Sequence, residues 1–220
     1  LKGHRASVRC ISVSNEYAIS GSEDRTLRVW NWQTGEHIYT LIGHEGTINS
    51  VVTSGRYAIS ASDDKTLKVW NWQTIDILSN RSFHKEVVND VCFSGEYAIT
   101  VSDDNKIKIW DIQTGQLSNE WIGHKDTIAC LSVYDTYMIT GSDDKTLKVW
   151  NWQTGEYIRT LVGHEDNVSN VAFSNKYVIS ASNDGMLIVW NWQTGEHIRT
   201  LKGHQLRVSA VALSDKYAIS

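Results

Sequence analysis

Short runs in which polar and apolar residues alternate recur along the whole chain. Thr26-Leu27-Arg28-Val29-Trp30 is one, and its period of two is that of a half-buried strand. Ser7-Val8-Arg9-Cys10-Ile11-Ser12-Val13 and Tyr17-Ala18-Ile19-Ser20 precede it, and His37-Ile38-Tyr39-Thr40-Leu41 follows. These runs are rich in the β-branched and aromatic residues that suit a pleated surface. No segment sustains the apolar period of about 3.6 residues that marks an amphipathic helix. The pattern predicts an all-β chain built from sets of four short strands.

The set returns every 40 residues without insertion or deletion. Asp64-Lys65-Thr66-Leu67-Lys68-Val69-Trp70-Asn71-Trp72-Gln73-Thr74 reappears unchanged at 144–154. Asn31-Trp32-Gln33-Thr34-Gly35-Glu36-His37-Ile38 reappears unchanged at 191–198. Five full repeats (1–40, 41–80, 81–120, 121–160 and 161–200) are followed by a half-repeat, 201–220. One four-stranded sheet cannot bury both of its faces, so the repeats are expected to stack side by side as a single domain over 1–220.

Turn chemistry agrees. Between first and second strands lie Asn15-Glu16, Gly55-Arg56, Gly95-Glu96, Asp135-Thr136, Asn175-Lys176 and Asp215-Lys216. Each opens on a residue that tolerates positive φ, as two-residue hairpin loops of the primed types demand. Gln33-Thr34-Gly35 and its counterparts join third and fourth strands through a glycine able to turn left-handed. Ile75 replaces that glycine in the second repeat, so its turn and fourth strand, 76–82, are expected to differ.

Composition narrows the function classes. A net charge of −4 provides no whole-surface attraction to nucleic acid or anionic membrane, and neither is expected as a partner. No window approaches the roughly 18 uninterrupted apolar residues of a membrane span. Leu1-Lys2-Gly3-His4 lacks the apolar run of a signal peptide. Cys10, Cys92 and Cys130 are odd in number and sit in strand-like runs. They read as reduced core thiols in a cytoplasmic setting, with the nucleus also compatible, rather than as disulfide or metal ligands. Glycine-rich phosphate loops, His-Glu-x-x-His and Cys-x-x-Cys are absent from the sequence, and no cofactor is expected.

Gly-His opens the repeats at Gly3-His4, Gly43-His44, Gly123-His124, Gly163-His164 and Gly203-His204, with Phe83-His84 in the third. The third strand closes on Trp-Asn, or on Trp-Asp at Trp110-Asp111, after a Ser-x-Asp-x-Thr/Ile-like element. On these features, which cover the whole chain, the sequence resembles the WD-repeat family. The resemblance implies a β-propeller of four-stranded antiparallel blades around a channel, here five full repeats plus half of a sixth. It also implies a hydrogen-bonded relay inside each blade. The relay joins the Gly-His histidine, a second-strand hydroxyl, the turn aspartate and the third-strand tryptophan. In the first blade these are His4, Ser20, Asp24 and Trp30, with Ser22 competing for the place of Ser20. The later sets are His44, Ser60, Asp64, Trp70; His84, Thr100, Asp104, Trp110; His124, Thr140, Asp144, Trp150; and His164, Ser180, Asp184, Trp190. His, Asp and Ser together also invite a hydrolytic triad. A catalytic site does not recur five times at one spacing, each time with a tryptophan, so no enzymatic activity is expected. One histidine per blade does not converge on a metal.

The resemblance points to protein or peptide binding through the blade faces and the channel mouth. In style the repeats are closest to propellers of F-box-type ubiquitin-ligase subunits and of repeat-rich signalling proteins. In the F-box group two positions per blade face the mouth, and arginines there hold phosphorylated peptides. The matching first-strand residues are Arg9, Asn49, Asn89, Ala129, Ser169 and Ser209, and the turn residues are Glu23, Asp63, Asp103, Asp143 and Asn183. One is arginine and four are acidic, which shifts the expectation to a basic segment of a partner. A merely solvated rim, or neutralisation by Arg25, Lys65 and Lys145, is the competing reading. A second candidate surface is the irregular stretch 76–84, together with Trp121 where other repeats have Leu41, Leu161 and Leu201. Drift of the second and third repeats explains that stretch as well. Trp32, Trp72, Trp152 and Trp192 follow the core tryptophans by two residues, on the same side, and read as packing at blade seams.

The expected function is a non-catalytic protein-interaction scaffold. The alternatives are a substrate-recognition or sensor domain of a larger signalling or ubiquitin-ligase protein, a glycan-binding propeller, and a self-assembling or built array. Leu1-Lys2 aligns with Leu201-Lys202 at a fourth-strand tail, and the chain ends at Tyr217-Ala218-Ile219-Ser220 within a second strand. A ring of seven such blades needs about 280 residues. Three readings stand: a piece of a longer propeller, which is preferred, self-association that completes the sixth blade, or a shuffled array.

Overall fold

In the computed structural model, which describes residues 2–82, 84–214 and 217–220, every regular element is a β-strand. The first sheet has the order β1 (Val8–Ser14), β2 (Tyr17–Ser22), β3 (Thr26–Asn31), β4 (His37–Ile42). The second comprises β5 (Ile48–Ser54), β6 (Tyr57–Ser62), β7 (Thr66–Asn71) and β8 (Asp76–Ser82). The third comprises β9 (Val88–Ser94), β10 (Tyr97–Ser102), β11 (Lys106–Asp111) and β12 (Leu117–Ile122). The fourth comprises β13 (Ile128–Tyr134), β14 (Tyr137–Ser142), β15 (Thr146–Asn151) and β16 (Glu156–Val162). The fifth comprises β17 (Val168–Phe173), β18 (Val178–Ser182), β19 (Met186–Asn191) and β20 (Glu196–Lys202). The half-repeat holds only the short pair β21 (Ala212–Leu213) and β22 (Ala218–Ile219). Five four-stranded antiparallel sheets and one two-stranded sheet are the content of a β-propeller of about five blades. Leu1, Phe83 and the Asp215-Lys216 turn lie outside the described residues.

The chain divides into two compact units, Leu1–Asp104 with Trp110–Gln116, and Asn105–Ile109 with Leu117–Ser220. In each unit the core lies between sheets. In the first unit Ile19, Leu27 and Leu41 meet Ile48, Val51 and Trp70 of the next sheet. Ile59, Ala61 and Leu67 then meet Val88, Val91 and Ala98. In the second unit Ile139, Leu147 and Leu161 meet Val168, Val178 and Trp190, and Ile179 and Leu187 meet Val208. The second strand of each sheet is therefore buried on both faces, and reads as a run of small and apolar residues rather than as an alternation. On β1, by contrast, Val8, Ile11 and Val13 remain exposed.

The second tryptophans seal these seams. Trp72 is buried and packs at a tilt against Tyr17 with ring centroids 4.9 Å apart. Trp192 does the same on Tyr137 at 4.6 Å. Each indole N–H also donates to a hairpin carbonyl, Trp72 to Gly55 at 3.2 Å and Trp192 to Asn175 at 3.0 Å. Trp152 is buried, whereas Trp32 is 47 % exposed.

Turn geometry follows the residues closely but not everywhere. Asn15, Gly55, Gly95 and Asp135 take φ of 52–60° at the first loop position. Asn175 departs, and its hairpin closes by a bond from the Ser174 N–H to the Tyr177 carbonyl at 2.9 Å. Arg25, Lys65 and Lys145 are also left-handed, at φ 65–69°, in the turn before the third strand. Nothing in those residue types foretold it.

The turn at Ile75 corrects the expectation that it would differ. Ile75 takes φ 63°, close to the 66–81° of Gly35, Gly115, Gly155 and Gly195. β8 keeps the common register, with Val69 opposite Ser79 and Trp70 opposite Ile77. Val29 opposite Tyr39 and Trp30 opposite His37 are the same pairs one repeat earlier. The shared hairpin therefore forces a β-branched residue into the left-handed region, where its Cβ crowds the backbone. Ile75→Gly is expected to raise stability by about 1 kcal/mol, less the backbone entropy glycine loses. A urea midpoint lower than that of the parent protein would show that no strain is stored there.

Candidate functional site

Each of the five complete repeats brings one histidine, one hydroxyl, one carboxylate and one indole together. In the second sheet His44 Nδ1 lies 2.7 Å from Asp64 Oδ2, and His44 Nε2 lies 2.7 Å from Ser60 Oγ. Trp70 Nε1 donates to the same Ser60 Oγ at 2.8 Å. His4, Asp24, Ser20 and Trp30 repeat the arrangement at 2.8–2.9 Å. So do His84, Asp104, Thr100 and Trp110 at 2.9–3.0 Å. His124, Asp144, Thr140 and Trp150 span 2.8–3.0 Å, and His164, Asp184, Ser180 and Trp190 span 2.7–2.9 Å. In the first sheet Ser20 occupies the meeting point. Ser22 instead accepts the Asp24 N–H at 3.0 Å and donates to the Ala6 carbonyl at 3.4 Å.

Donor capacity sets the direction of every bond. An indole N–H only donates and an ionised carboxylate only accepts. The histidine therefore carries its proton on Nδ1 and gives it to aspartate. Its bare Nε2 accepts the hydroxyl proton, and the hydroxyl oxygen accepts from tryptophan. A neutral imidazole satisfies the whole chain, and a second proton on Nε2 would meet a hydroxyl already donating toward it. The electrostatics agree. Burial pushes His124 and His164 below the ordinary histidine value, and the attraction of Asp144 and Asp184 only partly opposes it. Burial alone would raise Asp64, but bonds from His44, Thr66 and the Glu45 N–H outweigh it and hold the carboxyl well below the usual range. Asp24 is held down in the same way against burial by Thr26, the Arg5 N–H and His4.

The hydroxyls of Ser60, Thr100, Thr140 and Ser180 are fully buried and already accept and donate. A nucleophile needs a path for substrate, and these oxygens are closed off from solvent. The arrangement pins the loop before the first strand to the second and third strands of the same sheet.

Two supports escaped the sequence reading. Thr26, Thr66 and Thr146 donate to the second oxygen of the turn aspartate at 2.5–2.6 Å. The Asp-x-Thr spacing was their only signal. The Asn that follows the core tryptophan accepts backbone N–H groups of the next turn, as Asn31 does from Gln33 and Thr34 at 3.0 Å. Asp111 does so from Thr114 at 2.8 Å, which is why Trp-Asn and Trp-Asp are interchangeable here.

The residues singled out for the channel mouth lie in adjacent pairs within their sheets. Arg9 and Glu23 form an ion pair at 2.7 Å. Asn49 donates to Asp63 at 2.8 Å and to the Val88 carbonyl at 3.1 Å, and Asn89 donates to Asp103 at 2.8 Å. The Asp143 and Asn183 amides bond to the Thr127 and Asn167 carbonyls at 3.0 Å. Ser169 donates to the Ala181 carbonyl at 3.2 Å. Ala129 is half-buried and Ser209 exposed. Lys65 turns to Glu86 at 2.9 Å and Lys145 to the Glu165 carbonyl at 2.9 Å, while Arg25 is exposed.

The family model described as "WD domain, G-beta repeat" matches residues 1–31, 35–71, 76–111, 115–151 and 155–191, well over half of the chain. No curated protein sequence matches the chain. Three of these matched spans, 35–71, 115–151 and 155–191, begin ahead of the fourth strand of one sheet and close on the third strand of the next.

Two outcomes follow from the relay. Ser60→Ala leaves His44 Nε2 and the Trp70 N–H buried without partners, and is expected to cost about 2–4 kcal/mol, with Ser60→Thr near neutral by calorimetry. Stability is also expected to fall with acid. For His124 and His164 the folded state favours the neutral form. Their contribution is complete above the ordinary value of 6.5 and is lost as pH falls from there through their lowered folded values. For Asp24, Asp64, Asp144 and Asp184 it is complete above about 3.8 and lost below. A melting temperature that rises between pH 7 and pH 5 would contradict the neutral-imidazole relay.

Proposed function

The chain belongs to the WD-repeat family, and we propose that it is a non-catalytic scaffold that binds a protein or peptide partner through a basic segment held against Asp63 and Asp103. WD repeats commonly mediate protein–protein interaction, and proteins built from them are generally non-catalytic. The observation that carries the finer reading is how these two carboxylates are held. Both residues are exposed, and each is oriented by a neutral amide, Asn49 or Asn89, which fixes an oxygen without cancelling its charge. Lys65 is turned to Glu86, so the nearest lysine in sequence leaves Asp63 charged. Glu23, by contrast, is paired with Arg9, which removes most of its pull on a cation. Two pre-oriented carboxylates at neighbouring repeats suit a Lys or Arg side chain arriving from solvent. The buried, occupied hydroxyls of the relays and the net charge of −4 support a partner that is neither a substrate nor a nucleic acid. Three free thiols suit the reducing cytoplasm.

The test is binding of a fluorescent arginine- and lysine-rich peptide, followed by anisotropy. Asp63→Lys combined with Asp103→Lys is expected to weaken binding at least about tenfold and to flatten its salt dependence. Equal affinity of parent and double variant across ionic strengths would sink the proposal.

A further inference from the structure

One seam lacks its indole. Ile112 stands two residues after Trp110, where the other repeats have Trp32, Trp72, Trp152 and Trp192. The backbone there is unchanged. The Ile112 N–H bonds to the Glu96 carbonyl at 2.9 Å, as the Trp72 N–H bonds to Arg56 at 3.2 Å. Across the seam a second large side chain is missing. Ser79 faces Val69 in the register where Tyr39, Arg159 and Arg199 face Val29, Val149 and Val189. Two smaller side chains, Ile112 and Ser79, thus meet where the repeat places larger ones.

The result is a groove of about 630 Å³ between β8 and the turn after β11, lined by Tyr57, Leu78, Ser79, Asn80, Ile112 and Gln113 among others. That volume is within the range of about 300–1,000 Å³ typical of small-ligand sites. Its deeper part reaches Ile59, Leu67, Ala98 and Trp110, so the floor is apolar. The residues lining its mouth are uncharged, and Asp111 is the one carboxylate lining the deeper part. Beside it, Ile75, Ile77 and Leu78 are 42–53 % exposed and form an apolar lip, to which Ile75 is the contribution without a counterpart in the other repeats.

We propose that this groove binds an aromatic side chain, an indole or phenol, presented by a segment of a partner peptide. The repeat itself supplies the argument for the occupant. At the equivalent seams Trp72 packs on Tyr17 and Trp192 on Tyr137, and both tyrosines belong to the adjoining cores. Tyr57 is the matching tyrosine, and it faces the groove beside Ile112. A guest ring packs at a tilt against Tyr57, whose ring also carries the Arg56 guanidinium at 5.1 Å, as the protein's own tryptophans pack on tyrosine elsewhere. Ser79, Asn80 and Gln113 provide neutral hydrogen-bonding groups at the rim for an indole N–H or phenol O–H. The site is separate from the acidic face and does not rest on that reading.

The test uses the full chain and N-acetyl-L-tryptophanamide, followed by amide chemical shifts. Saturable shifts at Ser79, Asn80 and Gly115 with a Kd on the order of 1 mM are expected, and N-acetyl-L-leucinamide should bind at least about tenfold more weakly. Ile112→Trp restores the repeat's indole and should weaken the probe at least about tenfold. Ser79→Tyr fills the groove from the other wall and should do the same, which covers the case of one variant folding poorly. Asp63→Lys with Asp103→Lys should leave probe binding unchanged. Absence of shifts at the lining residues, or equal binding by both filled variants, overturns the proposal.

Discussion

A four-stranded sheet whose middle strand is apolar on both faces cannot stand in water by itself, and most of this structure is an answer to that. Ile19 and Leu27 pair with Val29 and Leu41 inside their own sheet, and the cluster is closed by Ile48, Val51 and Trp70 of the next. The same exchange recurs between the second and third sheets and between the fourth and fifth. Burying one such side chain is worth about 1.5–3 kcal/mol, so a seam of several outweighs any single polar contact in the repeat. The polar groups must then be arranged so that they do not spoil the seam.

The relay is that arrangement. A histidine, a hydroxyl and an indole N–H at the edge of an apolar core would each be costly if unpaired. Ordered from tryptophan to hydroxyl to histidine to aspartate, every donor finds an acceptor, and the one charge sits at the end closest to water. Asp24 and Asp64 there receive further bonds from Thr26, Thr66 and the backbone. The same logic explains what can vary. Thr100 and Thr140 replace serine because either hydroxyl both donates and accepts, whereas the neutral imidazole holds its donor and its acceptor on opposite edges of one rigid ring.

What could be read from the sequence was whatever depends on one repeat at a time. Strand runs recur in all five copies and the glycine of Gly35 in four, and the relay followed from the family resemblance that those copies carry. What could not be read lies where one copy departs from the others. Ile75 looked like a broken turn, but the register of β7 and β8 overrides its preference. The amides of Asn49 and Asn89 reach Asp63 and Asp103 across 14 residues, and no local pattern announces that. Ile112 in place of tryptophan resembles ordinary drift until Ser79 is found facing the same space. Ser22 and the Asn175 hairpin failed for a smaller reason, since residue type alone does not choose between two hydroxyls or two turn closures.

Near-identity of the repeats sharpens where specificity can reside. A residue common to all five sheets, such as the relay histidine, presents the same chemistry five times and cannot tell one partner from another. Recognition must come from positions that break the repeat on an accessible surface. Few positions meet both conditions. The first-strand site does, running Arg9, Asn49, Asn89, Ala129, Ser169, and it decides which turn carboxylate is neutralised by a cation and which is only oriented by an amide. The seam at Ile112 and Ser79 does as well, and there the break removes bulk rather than charge. The two kinds of break select for different properties of a partner, positive charge at one and an aromatic ring at the other. A segment carrying both would be discriminated by their sum, while the seams and relays that hold the sheets together stay untouched by either.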